Sequence, residues 1–144
     1  MTTPTPTLTG QDIGAASRAT GALFQRLLSG TGTEFNGWVL LNVLGTNGSG
    51  LAREDLVGRM VHGLKIDAGE AVDSLDKIVH SGLVADVNGA VALTPAGTGR
   101  FEEIRDGAAA IGRRLYGDLP AEDLATAHRI LVEVTERANA ELAA

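Results

Sequence analysis

Few residues of this 144-residue sequence have the types and spacing that catalysis requires. The three histidines, His62, His80 and His128, are far apart, and none has the i, i+4 or HExxH spacing of a metal site. The chain has no cysteine, which excludes disulfides, thiolate zinc sites and cysteine nucleophiles. The glycine-rich stretches 30–37 and 45–50 lack GxGxxG spacing and a GK[ST] ending, so ordinary turns explain them. We therefore expect no catalytic residue, no metal and no cofactor.

Residues 51–93 carry more acidic than basic side chains. They include four cations and seven anions, and four minus seven leaves −3 in a chain whose formal net charge is −6. A protein that binds nucleic acid through phosphates is usually basic at the contact surface. Asp73 lies four residues before Lys77, which is the spacing of an intrahelical ion pair, so we expect it to neutralise this cation in part. The charge pattern therefore disfavours strong phosphate binding.

The apolar periodicity predicts the helices that position these residues. A first helix spans about Leu8 to Leu28 and stops at Ser29-Gly30, and a short, deeply buried helix follows over residues 35–44. A third helix covers Leu51 to His62 and ends at Gly63. A fourth begins after the N-cap Asp67, with Glu70 at the capping-box position. Its outward face carries Glu70, Asp73, Lys77 and His80, and its inward face carries Ala71, Val72, Leu75, Ile78 and Val79.

A β-hairpin is predicted directly after the fourth helix. Gly82 ends the helix, residues 83–87 and 90–93 have strand composition, and Asn88-Gly89 between them is a strong hairpin signal. Thr94-Pro95 then has the form of a helix start, with Thr as the N-cap and Pro at the first helical position. Helix, hairpin and helix therefore follow one another without a long loop.

The last third of the chain is predicted to be two amphipathic helices. One apolar stripe includes Phe101, Ile104, Ala108, Ile111 and Leu115, and Gly117 and Pro120 end it. A second, close to a heptad seam, includes Leu124, Ala127, Leu131, Val134, Ala138 and Leu142. Because nothing else in the chain is large enough to cover both stripes, we expect a homodimer.

The first eight residues, with alternating Thr and Pro, are predicted to be an extended, flexible lead. They lack the basic and apolar regions of a secretory signal, and no apolar run has membrane-spanning length. A cytoplasmic location fits these features.

The order α-α-α-α-β-β-α-α, with Gly82-Leu83-Val84 closing the fourth helix and Leu93-Thr94-Pro95-Ala96-Gly97 opening the fifth, resembles the MarR (multiple antibiotic resistance regulator) family. The resemblance covers about Leu8 to the C-terminus. It implies a mainly α fold with a small β-hairpin wing, in which a winged helix-turn-helix is flanked by dimerisation helices. The winged helix-turn-helix region would be residues 33–94, and the dimerisation region residues 9–30 and 95–144. The implied protein is a dimeric, ligand-responsive repressor of transcription.

The sequence departs from the family pattern at the wing. Family members usually carry an Arg shortly after the Gly-Leu-Val step and an Asp-x-Arg segment in a longer wing, where this chain has Ala85, Asp86 and a short turn. No residue of this hairpin supplies the expected minor-groove cation. Two hypotheses stay open: the chain binds double-stranded DNA despite its acidic face, or it has lost DNA binding and binds a small molecule or protein partner. A recruited catalytic role belongs to the second.

If DNA is bound, the residues expected to contact it are Arg53, Arg59, Lys65, Ser74, Lys77 and Arg100. The resemblance also implies an effector pocket above the second helix, for a small aromatic or anionic compound. Its candidate lining residues are Phe24, Trp38, Asn42, His62 and Tyr116. The alternative for Trp38, the single tryptophan, is an ordinary core residue.

Overall fold

The structure, a computed structural model, describes residues 3–144 and contains six helices and three strands in that range. In chain order they are α1 (Gly10–Thr31), α2 (Phe35–Asn47), β1 (Leu51–Ala52), α3 (Arg53–Leu64), α4 (Ala68–His80), β2 (Val84–Val87), β3 (Ala90–Leu93), α5 (Pro95–Tyr116) and α6 (Ala121–Ala143). The strands form one antiparallel sheet in the order β1-β3-β2. The predicted fold, mainly α with a small hairpin wing, is confirmed.

The flexible lead predicted for residues 1–8 begins outside the described residues, and residues 3–9 form no helix or strand. Helix α1 starts after Thr9, whose hydroxyl accepts from the Asp12 N–H at 3.2 Å while the Asp12 carboxylate accepts from the Thr9 N–H at 3.0 Å. The predicted stop at Ser29-Gly30 is wrong. The helix continues to Thr31 because Gly32, with φ of 71°, is the residue that adopts the left-handed conformation.

Three other helix boundaries differ from the prediction. Helix α2 continues through Gly45 to Asn47 and ends where Gly48 adopts the left-handed conformation, with φ of 75°. A Cβ at Gly45 would meet the Phe101 ring at 2.7 Å, so glycine there lets the ring approach the helix. The third helix does not begin at Leu51, since Leu51 and Ala52 pair with β3 as strand β1. It also passes Gly63 and ends at Leu64, where Lys65 takes the left-handed conformation with φ of 59°. Two residues are too few for strand periodicity to be visible in sequence.

The segment from α4 to the start of α5 forms as its local signals predict. The Asp67 carboxylate accepts from the Glu70 N–H at 2.8 Å and so caps α4. Asn88 and Gly89 both have positive φ, at 55° and 85°, as a two-residue hairpin turn requires. The Thr94 hydroxyl accepts from the Gly97 N–H at 3.1 Å and caps α5. Residues 68–97 are therefore specified locally.

The hydrophobic core lies within the first of two compact units, residues 1–109 and 110–144. Aliphatic side chains from α1, α2, α3, α4, the sheet and the first half of α5 form it, and its fully buried large members are Leu28, Leu40, Leu41, Leu56, Met60, Leu75, Val84, Val91 and Ile104. The inward face predicted for α4 is confirmed, since Ala71, Leu75 and Ile78 are buried. Phe35 is exposed, so α2 is less deeply buried than expected.

The second unit consists of the end of α5 and of α6, and it has an exposed apolar surface. Helix α6 contains no buried residue. The large apolar side chains exposed in this unit are Leu115, Tyr116, Leu119, Leu131, Val132, Val134 and Leu142. Among the residues that the structure describes, no helix is both long and apolar enough to cross a bilayer.

Candidate nucleic-acid interface and neighbouring cavities

The outward face of α4 is acidic. Glu70, Asp73 and Asp76 are all exposed there, beside Lys77 and His80. Together with Glu34 and Asn36 from the start of α2, and with Ser74, these residues line a groove of about 770 Å³, called here the acidic groove. Four carboxylates against one lysine make its wall anionic at neutral pH. A phosphate backbone would therefore be repelled along most of this face.

Lys77, the one cation of this face, is paired across helices. Its Nζ lies 3.3 and 3.4 Å from the two carboxylate oxygens of Glu34, and both side chains are largely exposed. The expected intrahelical pair with Asp73 is not formed, so that prediction is wrong. Glu34 occupies the N-cap position of α2 without capping it, and its carboxylate is therefore free to reach Lys77.

Arg53 joins three parts of the winged helix through its guanidinium. Its Nη2 lies 2.6 Å from Asp76 Oδ1 on α4, and its Nη1 lies 3.0 Å from Asp86 Oδ2 on β2. The hydrogen bond to Asp76, and then that to Asp86, raises the pKa of Arg53 above its ordinary value, against a lowering by partial burial. Both terminal nitrogens of Arg53, which was predicted to contact DNA, are thus paired with aspartates of its own chain.

The wing is a short hairpin fixed to the start of α3. Gly89 donates its N–H to Asp86 Oδ1 at 2.8 Å, and its carbonyl accepts from the Arg53 N–H at 2.8 Å. Between Leu83 and Leu93 the sequence has no lysine or arginine. The wing therefore has backbone groups and an acidic side chain, but no cation, with which to contact a groove of DNA.

The other residues predicted to contact DNA lie in different surroundings. Arg59 is exposed on α3, and Lys65, at the end of α3, donates from Nζ to the His62 carbonyl at 2.6 Å. Ser74 is half-buried, and its hydroxyl accepts from Asn36 Nδ2 at 3.1 Å. Of the six predicted residues, the structure brings Ser74, Lys77 and Arg100 to one cavity.

That cavity, called here the Arg100 cavity, has a volume of about 550 Å³. It lies between the end of α1, the start of α2, the C-terminal half of α4 and the first two turns of α5. Its polar wall includes Thr33, Glu34, Ser74, Lys77, Ser81 and Arg100. Its apolar wall includes Gly37, Ile78 and Leu83. Arg100 Nη1 donates to the hydroxyl of Thr33 at 2.8 Å, and Thr33 is buried.

Two residues of the predicted effector pocket belong to an aromatic cluster. Trp38 packs edge-on against Phe24 at 5.8 Å between ring centroids and stacks on Phe101 at 6.0 Å. The guanidinium of Arg105 lies 5.3 Å from the Phe101 ring centroid. Phe24 and Trp38 are half-buried, so they retain some access to solvent.

The remaining predicted effector residues are more exposed. Asn42 lies on the exposed side of α2, His62 is exposed near the end of α3, and Tyr116 ends α5 in the second unit. Within residues 3–144, no three His, Cys, Asp or Glu side chains are grouped closely enough to hold a metal ion.

Sequence reasoning missed Thr33, Glu34 and Asp76 as members of these sites. Glu34 reaches Lys77 across 43 positions, and Arg53 reaches Asp76 and Asp86 across 23 and 33 positions. No local pattern connects such partners. The one available signal was the excess of carboxylates around α4, which indicated an acidic face but not that Lys77 would pair with Glu34 of α2.

Comparison with known proteins supports the fold. No protein-family model matches the chain, and no curated protein matches it. Among solved structures, ligand-free NadR superposes with a TM-score of 0.76 and 19% identity over 93% of this chain and 98% of its own. NadR in complex with 4-hydroxyphenylacetate gives 0.73 and 21%, over 91% and 98% of the two chains. A MarR-family protein of Mycobacterium tuberculosis in complex with DNA gives 0.69 and 18%, over 90% and 98%. The chain thus has the winged-helix fold of MarR-family transcriptional regulators, and the resemblance read from the sequence is confirmed at the level of fold.

Proposed function

We propose that the protein is a dimeric, ligand-responsive transcriptional regulator, acting as a repressor, that binds double-stranded DNA through the segment β1–α3–α4–β2–β3. The observation that carries the proposal is the fold. Nine-tenths of the chain superpose on a MarR-family protein that was solved in complex with DNA. The wing and α4 form one connected unit through Arg53, so the reading element has a defined shape.

The charges on this unit predict how DNA would be bound. Arg53 is engaged by two aspartates, and the other cations in residues 51–93 are Arg59, Lys65 and Lys77. Each phosphate contact contributes a slope of about −0.9 in a plot of log K against log salt. Three such contacts in each of two protomers are the upper bound, so the slope should be no steeper than roughly −5. Sequence reading would then depend on polar side chains of α4, including carboxylates that accept from cytosine amino groups.

Fluorescence anisotropy tests this proposal with labelled DNA from upstream of the protein's own gene. The measurement is made at about 50 and 200 mM salt, because binding through phosphate contacts weakens as the salt concentration rises. Replacing Lys77 by Ala should weaken binding, whereas replacing Arg26, an exposed cation on α1, should not. Glu70→Lys with Asp73→Lys should strengthen non-specific binding by removing the repulsion at the acidic groove. If no sequence-specific binding is detected at the lower salt concentration, DNA recognition by this protein is refuted.

The proposed dimer interface is the exposed apolar surface of the second unit. Leu131 and Val134 are 45% and 40% exposed on the predicted seam of α6, and burying such side chains favours association. Sedimentation should give a dimer for the native chain and a shift towards monomer for Leu131→Asp. The matched control is Thr126→Asp, which places the same charge at an exposed position on another side of α6. A native protein that sediments as a monomer at micromolar concentration contradicts the proposal.

The proposed effector site is the aromatic cluster around Trp38. A half-buried indole between Phe24 and Phe101 suits a flat apolar compound, and a structural neighbour, NadR, is known in complex with 4-hydroxyphenylacetate. Because Trp38 is the only tryptophan, its fluorescence reports binding directly. Titration with 4-hydroxyphenylacetate should quench it, and Asn42→Ala should weaken the effect. An unchanged emission spectrum at millimolar ligand argues against this site for this class of compound.

A second candidate function is favoured by the acidic groove. Its four carboxylates suit a basic protein partner better than a phosphate backbone. In this alternative the fold has lost DNA binding and acts through a protein or small-molecule partner. The Glu70→Lys, Asp73→Lys variant separates the two. If DNA binding is absent from both the native chain and this variant, the second function is favoured.

A further inference from the structure

Three asparagines of this chain, Asn36, Asn47 and Asn88, are each followed directly by a glycine. In such a pair the main-chain nitrogen of the glycine can attack the side-chain amide carbon of the asparagine, because glycine has no Cβ to hinder the approach. Asparagine is one of the thermolabile residues of proteins. Since the same dipeptide lies in three different surroundings, the fold decides which of the three asparagines reacts.

The wing restrains the reacting atoms of Asn88. The Gly89 N–H donates to Asp86 Oδ1 at 2.8 Å, and the Gly89 carbonyl accepts from the Arg53 N–H at 2.8 Å. Asn88 itself is held in the left-handed conformation, with φ of 55°. The glycine nitrogen must break its hydrogen bond to a carboxylate, and the turn must change shape, before the nitrogen can reach the neighbouring side chain. The wing therefore protects Asn88.

Asn36 is restrained by the packing of α2 against α4. It is half-buried in the first turn of α2, and its Nδ2 donates to Ser74 Oγ at 3.1 Å. In a helix the side chain points towards the N-terminus, away from the nitrogen of the next residue. Gly37 is also half-buried, so the attack would require the first turn of α2 to unwind and to separate from α4. The helix therefore protects Asn36.

Asn47 is the last residue of α2, and it is exposed together with Gly48 and Ser49. Its side-chain amide donates to the carbonyl and the hydroxyl of Ser49, at 2.8 and 3.3 Å, so both acceptors belong to the adjoining loop. The Gly48 N–H donates to the Leu44 carbonyl at 3.3 Å, which is a long hydrogen bond at a helix end, where helices fray. Opening this end disturbs no contact with another helix that the described hydrogen bonds provide. The nitrogen and the amide carbon are therefore the least restrained of the three pairs.

We propose that Asn47 is a site of spontaneous deamidation, which converts the end of α2 into a mixture of aspartate and isoaspartate. The Gly48 nitrogen loses its proton to hydroxide and forms a bond to Cγ of Asn47. The bond between Cγ and Nδ2 then breaks, and the Nδ2 group takes a proton from water and leaves as ammonia. One solvent water opens the resulting cyclic imide: attack at Cγ gives aspartate, and attack at the main-chain carbonyl gives isoaspartate. Nothing is oxidised or reduced, and water and ammonia are the only species exchanged.

Both products change the end of α2. Each adds one negative charge to a chain whose formal net charge is −6, at the helix end where the helix dipole disfavours a carboxylate. Isoaspartate also lengthens the main chain by one carbon just before β1, which pairs with β3 at two positions, Leu51 and Ala52. The modification is independent of DNA or effector binding, because it requires only the chain and water.

Incubation of the full-length chain at mildly alkaline pH, followed by peptide mapping with mass spectrometry, tests the proposal. Deamidation should be about tenfold faster at Asn47 than at Asn36 or Asn88, because each of these must first lose a hydrogen bond that the fold provides. The control is the same chain digested with trypsin before incubation, in which the three pairs should react at similar rates. Asn47→Gln should remove the earliest product, because the longer side chain of glutamine forms the cyclic imide far more slowly.

A second variant tests the protection itself. Asp86→Ala removes the acceptor of the Gly89 N–H and should raise the rate at Asn88 severalfold, while the rate at Asn47 stays unchanged. Thermal unfolding establishes that this variant is folded before the rates are compared.

Two results would overturn the proposal. One is that Asn36 or Asn88 reacts as fast as Asn47 in the folded native chain. The other is that Asn47 stays unmodified in the folded chain while the digested chain reacts to completion, which would mean that the end of α2 is as well protected as the wing.

Discussion

Replacing Arg53 by Met should loosen the winged helix measurably, because this side chain joins α3 to both α4 and the wing. Methionine keeps an apolar stem of similar length, so the change removes chiefly the charge and its hydrogen bonds. The two acceptors left behind are Asp76, which is 62% exposed, and Asp86, which is 21% exposed. They differ enough in exposure to contribute unequally to stability.

The shorter contact should be the weaker one in stability terms. Asp76 lies closer, at 2.6 Å, but water screens it and its side chain must be immobilised to pair. Asp86, at 3.0 Å, is already held by the Gly89 N–H and is less accessible to water. We expect a coupling energy of about 1 kcal/mol between Arg53 and Asp86 and about 0.5 kcal/mol or less between Arg53 and Asp76. Arg53→Met should then lower the free energy of unfolding by about 1–2 kcal/mol, or Tm by roughly 3–6 °C.

Urea unfolding of Arg53→Met, Asp76→Asn, Asp86→Asn and the two double variants measures both couplings. Arg59→Met is the matched control, since Arg59 is exposed on the same helix and has no ion pair within the described residues. The reasoning is refuted if Arg53→Met is as stable as Arg59→Met. It is equally refuted if the coupling to Asp76 exceeds that to Asp86.

Two glycines of α5 should respond with opposite signs to the same substitution. A Cβ at Gly97 would overlap the Leu83 carbonyl oxygen, so Gly97→Ala should lower the free energy of unfolding by about 2–3 kcal/mol. Gly99 meets nothing within 4 Å, so Gly99→Ala should raise it by about 0.5–1 kcal/mol, and thermal unfolding compares the two directly. Phe101→Ala should cost about 3–4 kcal/mol, because the ring is buried, and should shift Trp38 emission to longer wavelength as its stacking partner is lost. An unshifted emission maximum would contradict the stacked geometry.

The elements that the sequence predicted correctly are those specified by near neighbours in the chain. Asp67 before α4, Asn88-Gly89 in the hairpin and Thr94-Pro95 before α5 each act within four residues, and each forms as expected. The helix ends at Gly30, Gly45 and Gly63 were wrong for one shared reason. A glycine permits a left-handed ending but does not require it, and the chain used Gly32, Gly48 and Lys65 instead.

The candidate site was predicted in composition but not in connectivity. The acidic face of α4 could be predicted, because that prediction required only the helical periodicity and a count of charged residues. The partners of Lys77 and Arg53, and the position of Arg100 beside Thr33, depend on how α2, α3, α5 and the hairpin pack around α4. Such contacts join residues that are between 23 and 67 positions apart, where a single sequence carries no pairing signal.

The backbone hydrogen bond from the Arg53 N–H to the Gly89 carbonyl gives the hairpin tip an unusual dynamic character. Loop tips are normally the first amides to exchange with solvent, because they open without disturbing anything else. Here the tip is tied to the first residue of α3 by main-chain atoms and, through Asp86, to the guanidinium of that same residue. Its amide protons should therefore exchange together with those at the start of α3, as one cooperative opening unit. A wing that cannot open independently of α3 cannot adjust its contact with a DNA groove independently of α3. Any adaptation to a binding partner must therefore involve the wing and α3 together.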